Sequence, residues 1–299
     1  MNTNLKPWAS NYPSPYEGHD LTHRPDWANI IVWDAFFNNL TAGFMVFTTV
    51  AWFLGGHVFS NLLPFALTLA LIIVLIDLAL LVFDLGDPPR FIHAMRVLHF
   101  KSPLSVGVWG LACYSSCLGA AVAIYWLTYL FGSGGPVIHI YAGVLMRLFT
   151  VLAFIGALVV ICYKGVAFSC TSQPGVKDAR WLTSFMVSDA LLMGCGLYAV
   201  TAFALGSWTV WAQLLVPMLI LLCARCVAFA LMYLETRERA KLVYHSETGL
   251  LLVMVYLIGG LGAAALAFFG PSCMAISGVL VLLTGIFERY WLIGLTKKI

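Results

Sequence analysis

Charge is what this chain lacks most. Only 10% of its 299 residues are Asp, Glu, Lys or Arg, against about 25% in a soluble domain, so a single aqueous fold is excluded. It also lacks histidines deep in apolar segments. His19, His23, His57, His93, His99, His139 and His245 all fall in the N-terminal arm, in loops or at extreme helix ends. An intramembrane b-type haem needs paired histidine ligands inside helices, so the sequence argues against haem. The cysteines form no metal-type Cys/His grouping. Cys113, Cys117, Cys162, Cys195, Cys223 and Cys226 sit inside apolar blocks, where cysteine behaves as a small hydrophobe. There is no Walker loop, HExxH or GxSxG to support soluble-type catalysis. Nor is there an apolar run near the start that would read as a cleavable signal.

What the chain has is hydrocarbon: 62% hydrophobic residues and a mean hydropathy of +0.93. The apolar residues come in blocks of 20 or more, the length that crosses about 30 Å of bilayer. They lack the alternation of a membrane barrel strand. The expected fold is therefore all-α, with eight transmembrane helices at 28–54, 61–84, 104–131, 140–167, 181–206, 209–234, 248–270 and 272–295. A polar arm (1–27) precedes two expected four-helix bundles, 28–167 and 181–295.

Loop charge orients the bundle. On the side that holds the N-terminus (side A), the loops carry Arg90, Arg96, Lys101, Lys177, Arg180, Arg237, Arg239, Lys241, Lys297 and Lys298. The opposite (side B) loops carry no Lys or Arg. The positive-inside rule then places side A and both termini in the cytoplasm, with the chain in the inner (plasma) membrane. Tryptophans give a separate check. Trp27, Trp33, Trp109, Trp181 and Trp291 lie near side A ends, and Trp52, Trp126, Trp208 and Trp211 near side B ends, as interfacial belts require. Small residues in spans three (GLACYSSCLGAA) and seven (GGLGAAALA) read as helix-packing surfaces.

Charge inside a bilayer is costly and usually functional. Within the spans, Arg147 alone sits nearer side B, and Asp34, Asp77, Asp189, Arg225, Glu288 and Arg289 all fall in the half nearer side A. They suggest a polar cavity opening towards that side. Snorkelling from a span end is an equal alternative for Glu288 and Arg289, but not for Asp77 or Arg225, which lie too deep. Asp34 and Asn38 share a helix face, as do Asp77 and Asp84. Asp77, Asp189, Arg225 and Glu288 are candidates for proton transfer. For Asp189, Arg225 and Glu288 the alternative is a static ion pair that locks helices.

The segment Asp84–Trp109, DLGDPPRFIHAMRVLHFKSPLSVGVW, resembles the membrane subunit of polysulfide-reductase-type enzymes, the NrfD/PsrC family. That family tends to carry D-L-G-x-P-x-R-F after its second helix and S-P-[ML]-S-x-G-x-W opening its third. Tyr163-Lys164-Gly165 resembles its Y-T-G, and NLTAG (39–43) its small-residue first helix. The departures are Asp87, where a basic residue is common, Lys164 in place of Thr, and the long arm.

The resemblance implies a quinone-binding anchor (menaquinone or ubiquinone) with no haem or iron–sulfur cluster of its own. Such subunits dock a ferredoxin-like iron–sulfur subunit, often bridging to a molybdopterin or multihaem catalytic subunit; no nucleic acid is involved. Quinol oxidation releases protons, so a site needs hydrogen-bond donors, a proton acceptor and a wet exit. Tyr163, Lys164 and Asn38 are placed to donate, and Asp34 or Asp84 to accept, with Arg90 orienting Asp84. A helix-end ion pair is the alternative for Asp84 and Arg90. Many relatives dock periplasmic partners on the termini side. Basic loops facing an acidic partner would produce the same charge bias as the positive-inside rule. Two competing classes stay open: a transporter or proton channel using Asp77, Asp189 and Arg225, although only Pro217 interrupts a span centrally, and a purely structural anchor.

Overall fold

A computed structural model describes residues 29–84, 95–131, 136–170, 176, 179–237, 244–245 and 247–297. The polar arm and Arg90 lie outside these residues, and so does the side chain of Asp84. Among the described residues, eight helices are long and apolar enough to cross a membrane, and no strand occurs. They are α1 (Asn29–Gly55), α2 (Leu63–Asp84), α3 (Pro103–Phe131), α4 (Pro136–Ser169), α5 (Trp181–Ala204), α6 (Trp211–Thr236), α7 and α8 (Pro271–Lys297). Helix α7 has three parts: Glu247–Tyr256, a π-helical stretch Leu257–Gly262, and Ala263–Ala267. Each span agrees with its sequence expectation to within a few residues.

Local chemistry explains the boundaries. Pro103, Pro136 and Pro271 each open a helix, where a missing N–H costs nothing. At α3, the Ser105 N–H donates to Ser102 Oγ at 3.4 Å and the His99 N–H to Ser105 Oγ at 3.0 Å. The Ser-Pro-Leu-Ser run is thus a helix start that caps itself. On side B, Gly206 and Gly270 take φ of 70° and 114°, and these left-handed residues end α5 and turn the chain into α8.

Helices α1 and α5 are central: 72% and 67% of their most apolar windows are buried, against 28–44% for the other six. They pack on each other. A Cβ on Gly43 would collide with the Ala190 carbonyl, and one on Gly194 with the backbone of Gly43, so the two backbones approach without side chains between them. Around α1 stand α2 and α4, with α3 packed on both of these; around α5 stand α6 and α8, with α7 packed on α8. The small residues of α7 meet α8, where Gly259 faces Thr284. Helices α2, α3, α4, α6 and α7 turn Leu, Ile, Val and Phe outwards, as lipid contact demands.

Candidate functional site

Among the described residues, seven charged side chains are buried in the core: Asp34, Asp77, Lys164, Asp189, Arg225, Glu288 and Arg289. They form two clusters rather than one cavity, each fed by the first, second and fourth helix of its half.

In the first cluster, Lys164 of α4 donates to Asp34 Oδ2 of α1 at 2.6 Å and to the Asp34 carbonyl at 2.9 Å. One turn along α1, Asn38 Nδ2 donates to Asp77 Oδ2 of α2 at 2.8 Å. Asp77 has no exposed surface and lies within electrostatic reach of Asp34 and Lys164. Among the described residues, no cation stands in ion-pair range of it. Tyr163, also buried, feels both Asp34 and Asp77. Its ring fills the space a side chain at Gly107 would take, so the glycine of Ser-Val-Gly-Val-Trp exists to seat this tyrosine. Further towards side B, Tyr114 of α3 lies 2.7 Å from Thr41 Oγ1 and donates to the Thr41 carbonyl at 3.1 Å. Thr41 in turn donates to the Ala70 carbonyl at 3.0 Å, tying α1, α2 and α3 together. Asp34 Oδ1, Asn38 Oδ1 and Asp77 Oδ1 are buried acceptors without a hydrogen-bond donor.

The second cluster is a ring of alternating sign. Arg289 of α8 donates to Asp189 Oδ2 of α5 at 2.7 Å, and Arg225 Nη1 of α6 lies 3.7 Å from Asp189 Oδ1. Arg225 Nη2 pairs with Glu288 Oε1 at 3.0 Å, and Arg289 Nη1 stands 4.0 Å from Glu288 Oε2. All four side chains are at most 1% exposed, so the snorkelling alternative for Glu288 and Arg289 does not hold. Pairing and full ionisation leave the ring neutral, which offsets much of the desolvation cost of four charges in a bilayer. The Tyr256 ring of α7 lies 4.5 Å from the Arg225 guanidinium carbon, within cation–π range.

The sequence-derived candidates thus divide as follows. Asp34, Asn38, Tyr163 and Lys164 come together. Asp77, grouped by sequence with the proton-transfer residues Asp189, Arg225 and Glu288, joins Asn38 instead. Arg289 completes the second ring, and Tyr114 and Tyr256 are additions that sequence reasoning missed. Among the described residues, no group of three His, Cys, Asp or Glu could hold a metal ion.

Eight apolar helices enclosing two buried, ion-paired clusters define a multi-pass helical membrane protein. Residues 21–295 match the family model described as polysulphide reductase, NrfD, and the chain belongs to that family. No curated protein matches it significantly.

Proposed function

We propose that this protein is the membrane anchor of a respiratory oxidoreductase complex, exchanging electrons between the quinone pool and a docked, ferredoxin-like iron–sulfur subunit. The quinone headgroup site is the first cluster, in the 28–167 bundle. The observation that carries this reading is the set of three orphaned acceptors, Asp34 Oδ1, Asn38 Oδ1 and Asp77 Oδ1, buried together near Tyr163. Buried polar atoms are rarely left unpaired, and the hydroxyls of a quinol are donors that match them. Bound quinol supplies two electrons and two protons. The chain's own residues orient it and receive the protons.

Within that reading the two carboxylates differ in task. Lys164 holds Asp34 through both its side chain and its backbone, so Asp34 serves as a fixed counter-ion. Asp77 accepts from a neutral amide and lies beside the Asp34 carboxyl, with Oδ1 free to take a proton. Asp84 and Arg90 belong to the proposed exit for that proton on side A. The basic side A loops suit an acidic iron–sulfur partner, and by the positive-inside rule they place both termini in the cytoplasm. The second ring is a proton relay or an ionic lock. Its four-way pairing favours the lock.

Asp77→Asn and Tyr163→Phe test the site. Each is expected to lower quinol-linked turnover several-fold while the complex still assembles with its iron–sulfur subunit. Unchanged turnover in both variants removes the first cluster from the quinone site. Copurification tests the class, since an anchor brings iron–sulfur absorbance with it and a transporter purifies alone.

A further inference from the structure

The two halves of the protein repeat one design. In each, an aspartate on the first helix pairs with a cation on the fourth: Asp34 with Lys164, and Asp189 with Arg289. In each, the second helix adds a buried partner, Asp77 or Arg225. Both first helices run from side A to side B, the parallel kind of internal repeat seen in membrane transporters. If the first half seats a ligand at its polar cluster, the second half has the same topology for one.

It also has the space. Between α6 and α7 lies a cavity of about 670 Å³ walled by Leu222, Phe229, Leu252, Tyr256 and Leu261. Small-molecule sites run from about 300 to 1,000 Å³. From Gly249 to Ala264, both in its wall, the cavity follows α7 for about 22 Å at 1.5 Å per residue. Its mean cross-section is then about 30 Å², room for one extended hydrocarbon chain at carbon contact distances of about 3.5–4 Å, and not for two.

The Tyr256 hydroxyl decides which kind of chain. It is buried and makes no hydrogen bond of good geometry, although it lies within electrostatic reach of Glu288. Nine residues from the start of α7, it lies about 13 Å deep, close to the middle of a hydrocarbon layer about 30 Å thick. A phospholipid, whose charged headgroup stays at the surface, could lay an acyl chain in the cavity but would leave this hydroxyl unpaired. A neutral head with a hydrogen-bonding oxygen can sit there. We propose that the cavity between α6 and α7 is a second binding site for an isoprenoid quinone, its carbonyl or hydroxyl meeting Tyr256 and its tail lying along α7. The identity of this ligand rests on the quinone reading of the first cluster; the site itself uses none of the same residues.

A photoreactive azido-quinone with a short isoprenoid tail, added to the full-length protein in lipid nanodiscs, tests this by mass spectrometry of the labelled peptides. Labelling is expected both in α1–α4 and within residues 244–264. Tyr256→Phe and the space-filling Leu252→Trp should each reduce the second label about five-fold, the loss of one hydrogen bond or of the room for the ligand, and leave the first label unchanged. Label in α1–α4 alone overturns the second site and leaves the proposed function standing. Label in neither region overturns both. A second label that survives both substitutions, or that added phospholipid displaces as readily as unlabelled quinone, marks ordinary lipid contact and also overturns the second site.

Discussion

Replacing Asp189 with Asn puts the most charge at stake in the second ring. Asp189 meets two guanidinium groups, at 2.7 and 3.7 Å, and all partners are at most 1% exposed. Without its carboxylate, Arg225 and Arg289 share the single charge of Glu288, and a net positive charge is left inside the bilayer. Arginine cannot shed its proton to escape this. Breaking a buried pair from one side costs about 3–5 kcal/mol. At roughly 2–4 °C per kcal/mol for a chain of this size class, the melting temperature should fall by about 6–20 °C. The matching Asp34→Asn change should cost less. Lys164 keeps the Asp34 carbonyl as an acceptor, and one cation rather than two loses its carboxylate. The double variant Asp189→Asn/Arg289→Met restores neutrality and retains the Arg225–Glu288 pair, so it should recover part of the loss. Thermal unfolding of the detergent-purified protein, read by tryptophan fluorescence, measures all three. A double variant no more stable than Asp189→Asn alone, or an Asp34→Asn loss as large as that of Asp189→Asn, refutes the reasoning.

The remaining expectations concern packing, chemistry and sidedness. Gly107→Ala should displace the Tyr163 ring and lower quinol-linked turnover more than it lowers melting temperature, as a comparison of initial rates and thermal melts would show. Gly194→Leu should prevent α1 and α5 from closing, with a loss above the usual 1–3 kcal/mol of overpacking, visible as poor yield of monodisperse protein on size exclusion. The chain purified without partners should show no stoichiometric haem Soret band, since its histidines lie outside the span interiors. Reporter fusions at the C-terminus should be active only as a cytoplasmic fusion; an active periplasmic reporter there would reverse the orientation.

The spans were legible because bilayer thickness fixes their length and because proline and glycine mark their ends. Part of the site was legible too. Asp34 and Asn38 lie on one face of α1, and a charge that deep needs a partner. Which partner was not legible. Asn38 bonds a residue 39 positions away and Lys164 one 130 positions away, pairings set by how α2 and α4 rotate against α1, which no local pattern encodes. Glu288 and Arg289 show the same limit. As neighbours they point about 100° apart on α8, so helical spacing gives them no shared target. Their long side chains nonetheless converge on the ring. Tyr256 escaped notice because a tyrosine in an apolar run carries no local sign of what its hydroxyl or ring will meet.

The ring's neutrality also bears on how the protein meets an energised membrane. A full transmembrane potential does about 2.3 kcal/mol of work per elementary charge per 100 mV. Two positive and two negative side chains held together present no net charge for that field to move, so charging the membrane does no net work on displacing the ring as a unit. The first cluster, with two carboxylates and one ammonium, has no such immunity: its response to voltage changes with each proton it gains or loses. On the proposed function, the half that holds the first cluster would therefore sense the membrane's state of charge, while the ring in the other half offers it no net charge.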